Sequence, residues 1–166
     1  MDASNTKVAI LGAGGLTGQF VVAALKESRI EPRAIVRRQD YARRLPEGTD
    51  VAVADFEDVD ALGEAIRGCA AVYLIPPSFN RAEERFATNI MQAMERADVK
   101  RFVYHSVLHA PTPGMPHHLR KSQVELMIRE SNLVWTILQP AMYVQTVLSF
   151  LSEDRLALRP PFNPDR

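Results

Sequence analysis

The sequence predicts a doubly wound α/β domain on a parallel sheet of about six strands, and three observations carry that reading. Short apolar runs alternate with helix-period stretches along nearly the whole chain, the pattern of successive βαβ units. A glycine-rich segment, Gly12-Ala13-Gly14-Gly15-Leu16-Thr17-Gly18, lies between the first run and the first helical stretch. The length of 166 residues suits one domain, enough to bury roughly 70% of the surface of the unfolded chain.

The first strand is expected over 7–11, and the glycine segment then turns into a helix over 16–26. Strands follow over 33–36 and 51–54, a helix over 59–67, a strand over 71–75, a helix over 82–97 and a strand over 101–106. A helix over 119–130 and a strand over 134–138 complete the alternation. In the helix at 82–97, Phe86, Ile90, Ala93, Met94 and Ala97 fall on one stripe, with Glu83, Glu84, Arg85 and Glu95 mostly outside it. Right-handed crossovers bring all the strand carboxyl ends to one edge. With strand order 3-2-1-4-5-6, the ligand crevice opens between the first and fourth strands, where the fourth contributes Pro76, Pro77 and Ser78.

The glycine segment matches G-x-x-G-x-x-G through Gly12, Gly15 and Gly18, with Thr17 where G-x-G-x-x-G requires its third glycine. Between a strand and a helix it reads as a pyrophosphate-binding turn: glycines let the backbone approach phosphate oxygens, and the free N–H groups of Leu16, Thr17 and Gly18 attract the anion. Tight strand-to-helix packing is the alternative use of such glycines.

The remaining strand ends supply the rest of a site. Arg37 and Arg38 end the second strand, where an NAD-binding chain commonly places an acid; guanidinium groups there suit the 2′-phosphate of NADP. A solvated basic turn is the plainer reading, and Asp40 could reach a ribose hydroxyl instead. Asp55 and Phe56 end the third strand, where an acid and an exposed backbone can receive adenine, while Asp58 is placed to cap the next helix.

At the opposite end, Ser106 closes the fifth strand, and His117 and Lys121 lie one helical turn apart after a proline-rich loop. Together they offer a hydroxyl, an imidazole and an ammonium for proton transfer. A helix-start histidine and a solvated lysine are the structural alternative. No His, Cys or carboxylate spacing matches a metal site, so none is expected, and Ser106 lacks the G-x-S-x-G setting of a hydrolase nucleophile.

Composition narrows the partners. Lys plus Arg and Asp plus Glu both number 20, so no bulk charge favours nucleic acid or a membrane surface. No apolar run has the length of a membrane span, and residues 1–5 lack a signal-peptide pattern. A single cysteine, Cys69, fits a reducing compartment as a packed thiol. The expected location is the cytoplasm.

Taken together, Ile10-Leu11-Gly12-Ala13-Gly14-Gly15-Leu16-Thr17-Gly18, Asp55-Phe56, Arg101-Phe102-Val103-Tyr104-His105-Ser106-Val107 and Thr136-Ile137-Leu138-Gln139-Pro140-Ala141 resemble the NmrA-like family, an atypical branch of the short-chain dehydrogenase/reductases. The resemblance runs from about residue 7 to 145 and implies a Rossmann domain over 1–145 that binds NAD(P)(H), with NADP(H) preferred on account of Arg37 and Arg38. It implies one of two functions: an NADPH-dependent reductase of a quinone, carbonyl or similar small molecule, or a non-catalytic NADP(H) sensor acting through a protein partner. The Tyr-x-x-x-Lys of the wider superfamily is absent; Ser106 and Lys121 match its outer members and His117 takes the tyrosine position. Residues 146–166 are expected to form a tail that begins a truncated substrate region, extended at 158–166. The apolar stretch 142–151 is expected to need a cover, either the sheet or a second copy in a homodimer.

Overall fold

Val8–Leu11 (β1) is apolar at every position because both of its faces are covered. The computed structural model describes residues 7–149. In it β1 pairs in parallel with Pro32–Val36 (β2) on one side and Ala71–Leu74 (β4) on the other. Asp50–Val53 (β3) extends the sheet beyond β2, while Arg101–His105 (β5) and Val134–Leu138 (β6) extend it beyond β4. The order β3-β2-β1-β4-β5-β6 is the expected doubly wound arrangement, and strand boundaries differ from expectation by a residue or so.

Three helices cover one face. Val59–Ile66 (α2), Glu83–Arg96 (α3) and Pro116–Glu130 (α4) pack Leu62, Ile66, Ile90, Met94, Val124 and Ile128 against Leu11, Ile35, Leu74 and Phe102 of the sheet. The other face carries Leu16–Glu27 (α1), which buries Val22 against Ile10, Ala34 and Val36. Removing each of these large side chains from water contributes about 1.5–3 kcal/mol.

Local chemistry explains where the helices start. Asp58 caps α2, its Oδ1 accepting from the Ala61 N–H at 2.9 Å. Pro116 opens α4 three residues earlier than expected, since proline at the first helical position loses no hydrogen bond. A 3-10 helix over Gln39–Arg44 and a short helix over Val144–Ser149 (α5) were not foreseen from apolar periodicity.

Two expectations about burial are corrected. Glu83, placed outside the α3 stripe by its charge, is only 2% exposed, because Tyr104 and Lys121 meet it in the interior. Of the two covers expected for 142–151, the sheet does not supply one to Met142, Val144 and Leu148, which stand exposed together with Val134, Trp135 and Leu138 of β6. The expected tail at 158–166, the rest of the apolar stretch beyond Ser149 and the start of the chain lie outside the described residues. Among the described residues, Cys69 is buried and unbridged, no helix is long and apolar enough to cross a membrane, and no metal-binding group of His, Cys, Asp and Glu occurs.

Candidate functional site

The carboxyl ends of β1, β2, β3 and β4 surround a cleft of about 590 Å³. The glycine segment forms its floor. Gly12 has φ +89°, and a Cβ there would sit 2.3 Å from the Ile75 carbonyl oxygen at the end of the neighbouring strand. A Cβ on Gly18 would sit 2.3 Å from the Gly12 carbonyl oxygen, and one on Gly14 would meet the Tyr41 side chain at 2.9 Å. Each of these positions is therefore closed to a side chain.

Gly15 is the exception: its φ is −78°, and it serves as the N-cap of α1 without any side-chain cap. The amide groups of Leu16, Thr17 and Gly18 in the first helical turn therefore remain available to an anion, favoured further by the helix dipole. The glycine segment thus performs strand-to-helix packing and leaves the amides of the helix start uncovered. Such a donor set is the kind that suits the pyrophosphate of a dinucleotide.

At the β2 end the cleft is lined by Arg37, Tyr41 and Arg44. Arg38 lies beside it rather than in it. Its guanidinium donates to both carboxylate oxygens of Asp40, at 3.1 and 2.9 Å, and that contact holds the Asp40 carboxyl below its ordinary range. Arg38 and Arg44 flank the Tyr41 ring, 5.1 and 4.8 Å from its centroid. Tyr41 and Arg44 were not among the residues read from the sequence; their three-residue spacing is the available signal, because a 3-10 helix stacks i and i+3 on one side.

Asp55 and Phe56 line the same cleft after β3. The Asp55 carboxylate accepts from the Glu57 N–H at 3.0 Å, and the Phe56 carbonyl accepts from the Asn89 amide at 2.9 Å. Phe56 also meets Phe86 edge-on at 5.4 Å. The turn is thereby tied to α3 and presents a firm wall. Opposite it run Pro76, Pro77, Ser78 and Asn80, and Tyr143, beyond β6, also lines the cleft.

The three residues expected at the reactive end are held by separate partners and make no hydrogen bond to one another among the described residues. The buried Ser106 donates to Glu125 Oε1 at 2.5 Å, an oxygen that also accepts from Gln139 at 2.7 Å. Lys121 donates to Glu83 Oε1 at 2.7 Å and to the His105 carbonyl at 3.4 Å. His117 packs on Phe79 at 4.7 Å and edge-on to His118 at 4.6 Å. None of the three lines the cleft.

His105 and His117 both lie below the ordinary imidazole range, His105 because burial and then Lys121 disfavour its charged form, His117 because of burial followed by His118 and the nearby cations. The unfolded chain takes up these protons near pH 6.5, roughly the free-imidazole value, whereas the folded chain takes them up only at lower pH. Stability therefore falls as pH drops from about 6.5 toward the folded values. Thermal unfolding at a series of pH values is expected to show this loss, and His105→Gln is expected to reduce it.

Comparisons with known proteins place the chain in a family. Residues 12–147 match the model of a family described as NAD(P)H-binding. UPF0659 protein YMR090W of Saccharomyces cerevisiae is 32% identical over 158 residues, covering 82% of this chain and 70% of that protein. Quinone oxidoreductase 2 of Escherichia coli is 31% identical over 145 residues, covering 86% of this chain and 51% of the relative. The crystal structure of that NADPH-dependent enzyme complexed with NADPH superimposes with a TM-score of 0.78 at 31% identity, again over 86% of this chain and 51% of the other. The chain thus spans about half the length of this bacterial relative. A six-stranded doubly wound sheet, a glycine cradle at its switch point and a match running through both make this chain a member of the NAD(P)H-binding family with a Rossmann fold.

Proposed function

We propose that this protein binds NADP(H) in preference to NAD(H) and takes part in the NADPH-dependent reduction of a quinone or carbonyl compound. The observation that carries the reading is one continuous cleft with two arginines, Arg37 and Arg44, at its β2 end, the glycine cradle in its middle and a phenol, Tyr143, among its lining residues. Gly12, Gly14, Gly15, Leu16, Thr17 and Gly18 hold the pyrophosphate, Arg37 and Arg44 meet the 2′-phosphate, and Asp55, Phe56 and Pro76 frame the adenine and nicotinamide ribose. Asp40, on the 3-10 helix that also carries Arg44, is engaged by Arg38, so Arg38 acts by screening a carboxylate rather than by direct contact. When bound, the reduced nicotinamide supplies a hydride. Similarity to an NADPH-dependent quinone oxidoreductase supports this substrate class.

Fluorescence titration is expected to show tighter binding of NADPH than of NADH. A charge-assisted hydrogen bond contributes about 1.5–3 kcal/mol, so Arg37→Ala or Arg44→Ala alone is expected to weaken NADPH roughly 10- to 150-fold, the double variant more than either, and NADH little in every case. Equal affinities in the parent protein refute the NADP(H) preference. Oxidation of NADPH with a panel of quinones then tests reduction, and tight binding without turnover favours a cofactor-sensing role through a protein partner.

A further inference from the structure

Beyond β6, the chain returns one side chain to the cleft, and that side chain ends a line of three hydrogen-bonded rings. Tyr73 in β4 and His105 at the end of β5 share the sheet face opposite α2, α3 and α4, since Tyr73 is in register with Val103, two residues before His105. Their rings stack with centroids 5.9 Å apart, and the Tyr73 hydroxyl lies 2.7 Å from His105 Nδ1. The other imidazole nitrogen, Nε2, is hydrogen-bonded to the Tyr143 hydroxyl. Tyr143 is 41% exposed and lines the cleft together with Pro76 and Pro77. Both nitrogens of His105 are thus engaged by phenols.

From this arrangement we propose that Tyr143 is the proton donor to the substrate oxygen, and that His105, oriented by Tyr73, is the positioning residue that stabilises the phenolate left behind. The inference rests on the reductase reading above and names the group that reading lacks, since Ser106, Lys121 and His117 do not line the cleft.

The proposed role sets the direction of the donors. Burial raises the Tyr73 phenol to about 12, so it keeps its proton near neutrality, and in the proposed arrangement it directs that proton at Nδ1. The imidazole then carries its hydrogen on Nε2 and donates it to the Tyr143 oxygen, which leaves the Tyr143 hydrogen free to turn into the cleft. The imidazole stays neutral, because burial and Lys121 of α4 both disfavour the cation. Lys121 is itself paired with Glu83 of α3, so that carboxylate is engaged away from the ring.

The step balances for a carbonyl or quinone acceptor. The substrate gains two electrons as a hydride from the reduced nicotinamide, which is oxidised. The Tyr143 O–H bond breaks and a substrate O–H bond forms. The phenolate, held by the N–H of His105, recovers its proton from water at its exposed side.

Tyr143→Phe removes only the hydroxyl from a partly exposed ring. It is expected to bind NADPH with an unchanged Kd and to lose 10²- to 10⁴-fold in kcat with a quinone that the parent turns over. His105→Gln, whose side-chain amide N–H can donate from a similar place, is expected to retain more activity than His105→Leu. Nitrogen-15 NMR of the parent chain, independent of turnover, is expected to find His105 as the Nε2–H tautomer at neutral pH, with Tyr73→Phe mixing the two tautomers. An active parent whose Tyr143→Phe variant keeps its kcat within threefold overturns the donor role alone, and an Nδ1–H tautomer overturns the role of His105. A parent that binds NADPH but reduces no quinone or carbonyl compound overturns the reductase reading and the donor role with it.

Discussion

Gly12→Ala is expected to abolish dinucleotide binding and to destabilise the fold, whereas Gly15→Ala three residues away is expected to fold nearly normally. The contrast is geometric. At position 12 the backbone holds φ +89°, outside the comfortable range of an L side chain, and an added Cβ would lie 2.3 Å from the Ile75 carbonyl oxygen. The obstacle is backbone belonging to the end of β4, so no rotamer change relieves it. Forced overpacking typically costs about 1–3 kcal/mol, and holding the disfavoured φ adds about 1–3 kcal/mol more. Any relief moves β4 away from β1 at the point where the cleft opens.

At Gly15 the nearest atom to an added Cβ is the Gly12 carbonyl oxygen at 3.3 Å, and φ is −78°. A shift of a few tenths of an ångström accommodates it, but the new methyl stands at the helix start where phosphate oxygens are proposed to sit. Urea unfolding and NADPH titration of both variants provide the check: Gly12→Ala loses stability and binding together, and Gly15→Ala loses binding alone. Retention of full NADPH affinity by Gly12→Ala would show that the cradle does not need its present shape.

Glu83→Ala is expected to lower stability by about 3–5 kcal/mol, the usual consequence of removing one member of a buried ion pair. One carboxylate oxygen accepts from the Tyr104 hydroxyl at 2.6 Å and from the Lys121 ammonium at 2.7 Å, with the ammonium also 5.5 Å from the centre of the Tyr104 ring. Glu83 is 2% exposed and the Lys121 side chain 15%. Burial and the adjoining carboxylate push the Tyr104 phenol far up, so it stays a donor at all working pH values. Without the carboxylate, an ammonium and a phenol are left in the interior with poor access to water. Replacing both charges, Glu83→Ala with Lys121→Met, is expected to recover much of the loss, because the stranded charge is gone. Denaturant midpoints of the single and double variants measure that coupling, and additive losses would rule the pair out as the cause.

These two experiments touch residues whose legibility in the sequence differs. The glycine spacing, the order of the strands and the switch point between β1 and β4 could be read directly, because each depends on a local pattern: apolar runs for buried strands, and a glycine turn between strand and helix. Asp58 as a cap and Asp55 and Phe56 beside the cleft followed from position in the same way. Glu83 could not be read, since its charge argued for solvent and its partners come from β5 and α4, 21 and 38 residues away. Arg44 and Tyr41 were missed because a 3-10 helix has no long apolar period to reveal it.

The sequence by itself determined the alternation of strands and helices, the sheet order and the glycine turn between β1 and α1, because backbone conformation and strand burial respond to neighbouring residues. Tertiary structure alone decided which polar side chains from β5 onward face the cleft. Ser106 and Lys121 are at the expected places along the chain, yet Glu125 and Glu83 draw them into the interior. Tyr143, 38 residues beyond His105, reaches the imidazole at the sheet edge. The physical reason is that a buried polar group must find a partner, and the identity of that partner depends on packing between distant elements, which no local pattern encodes.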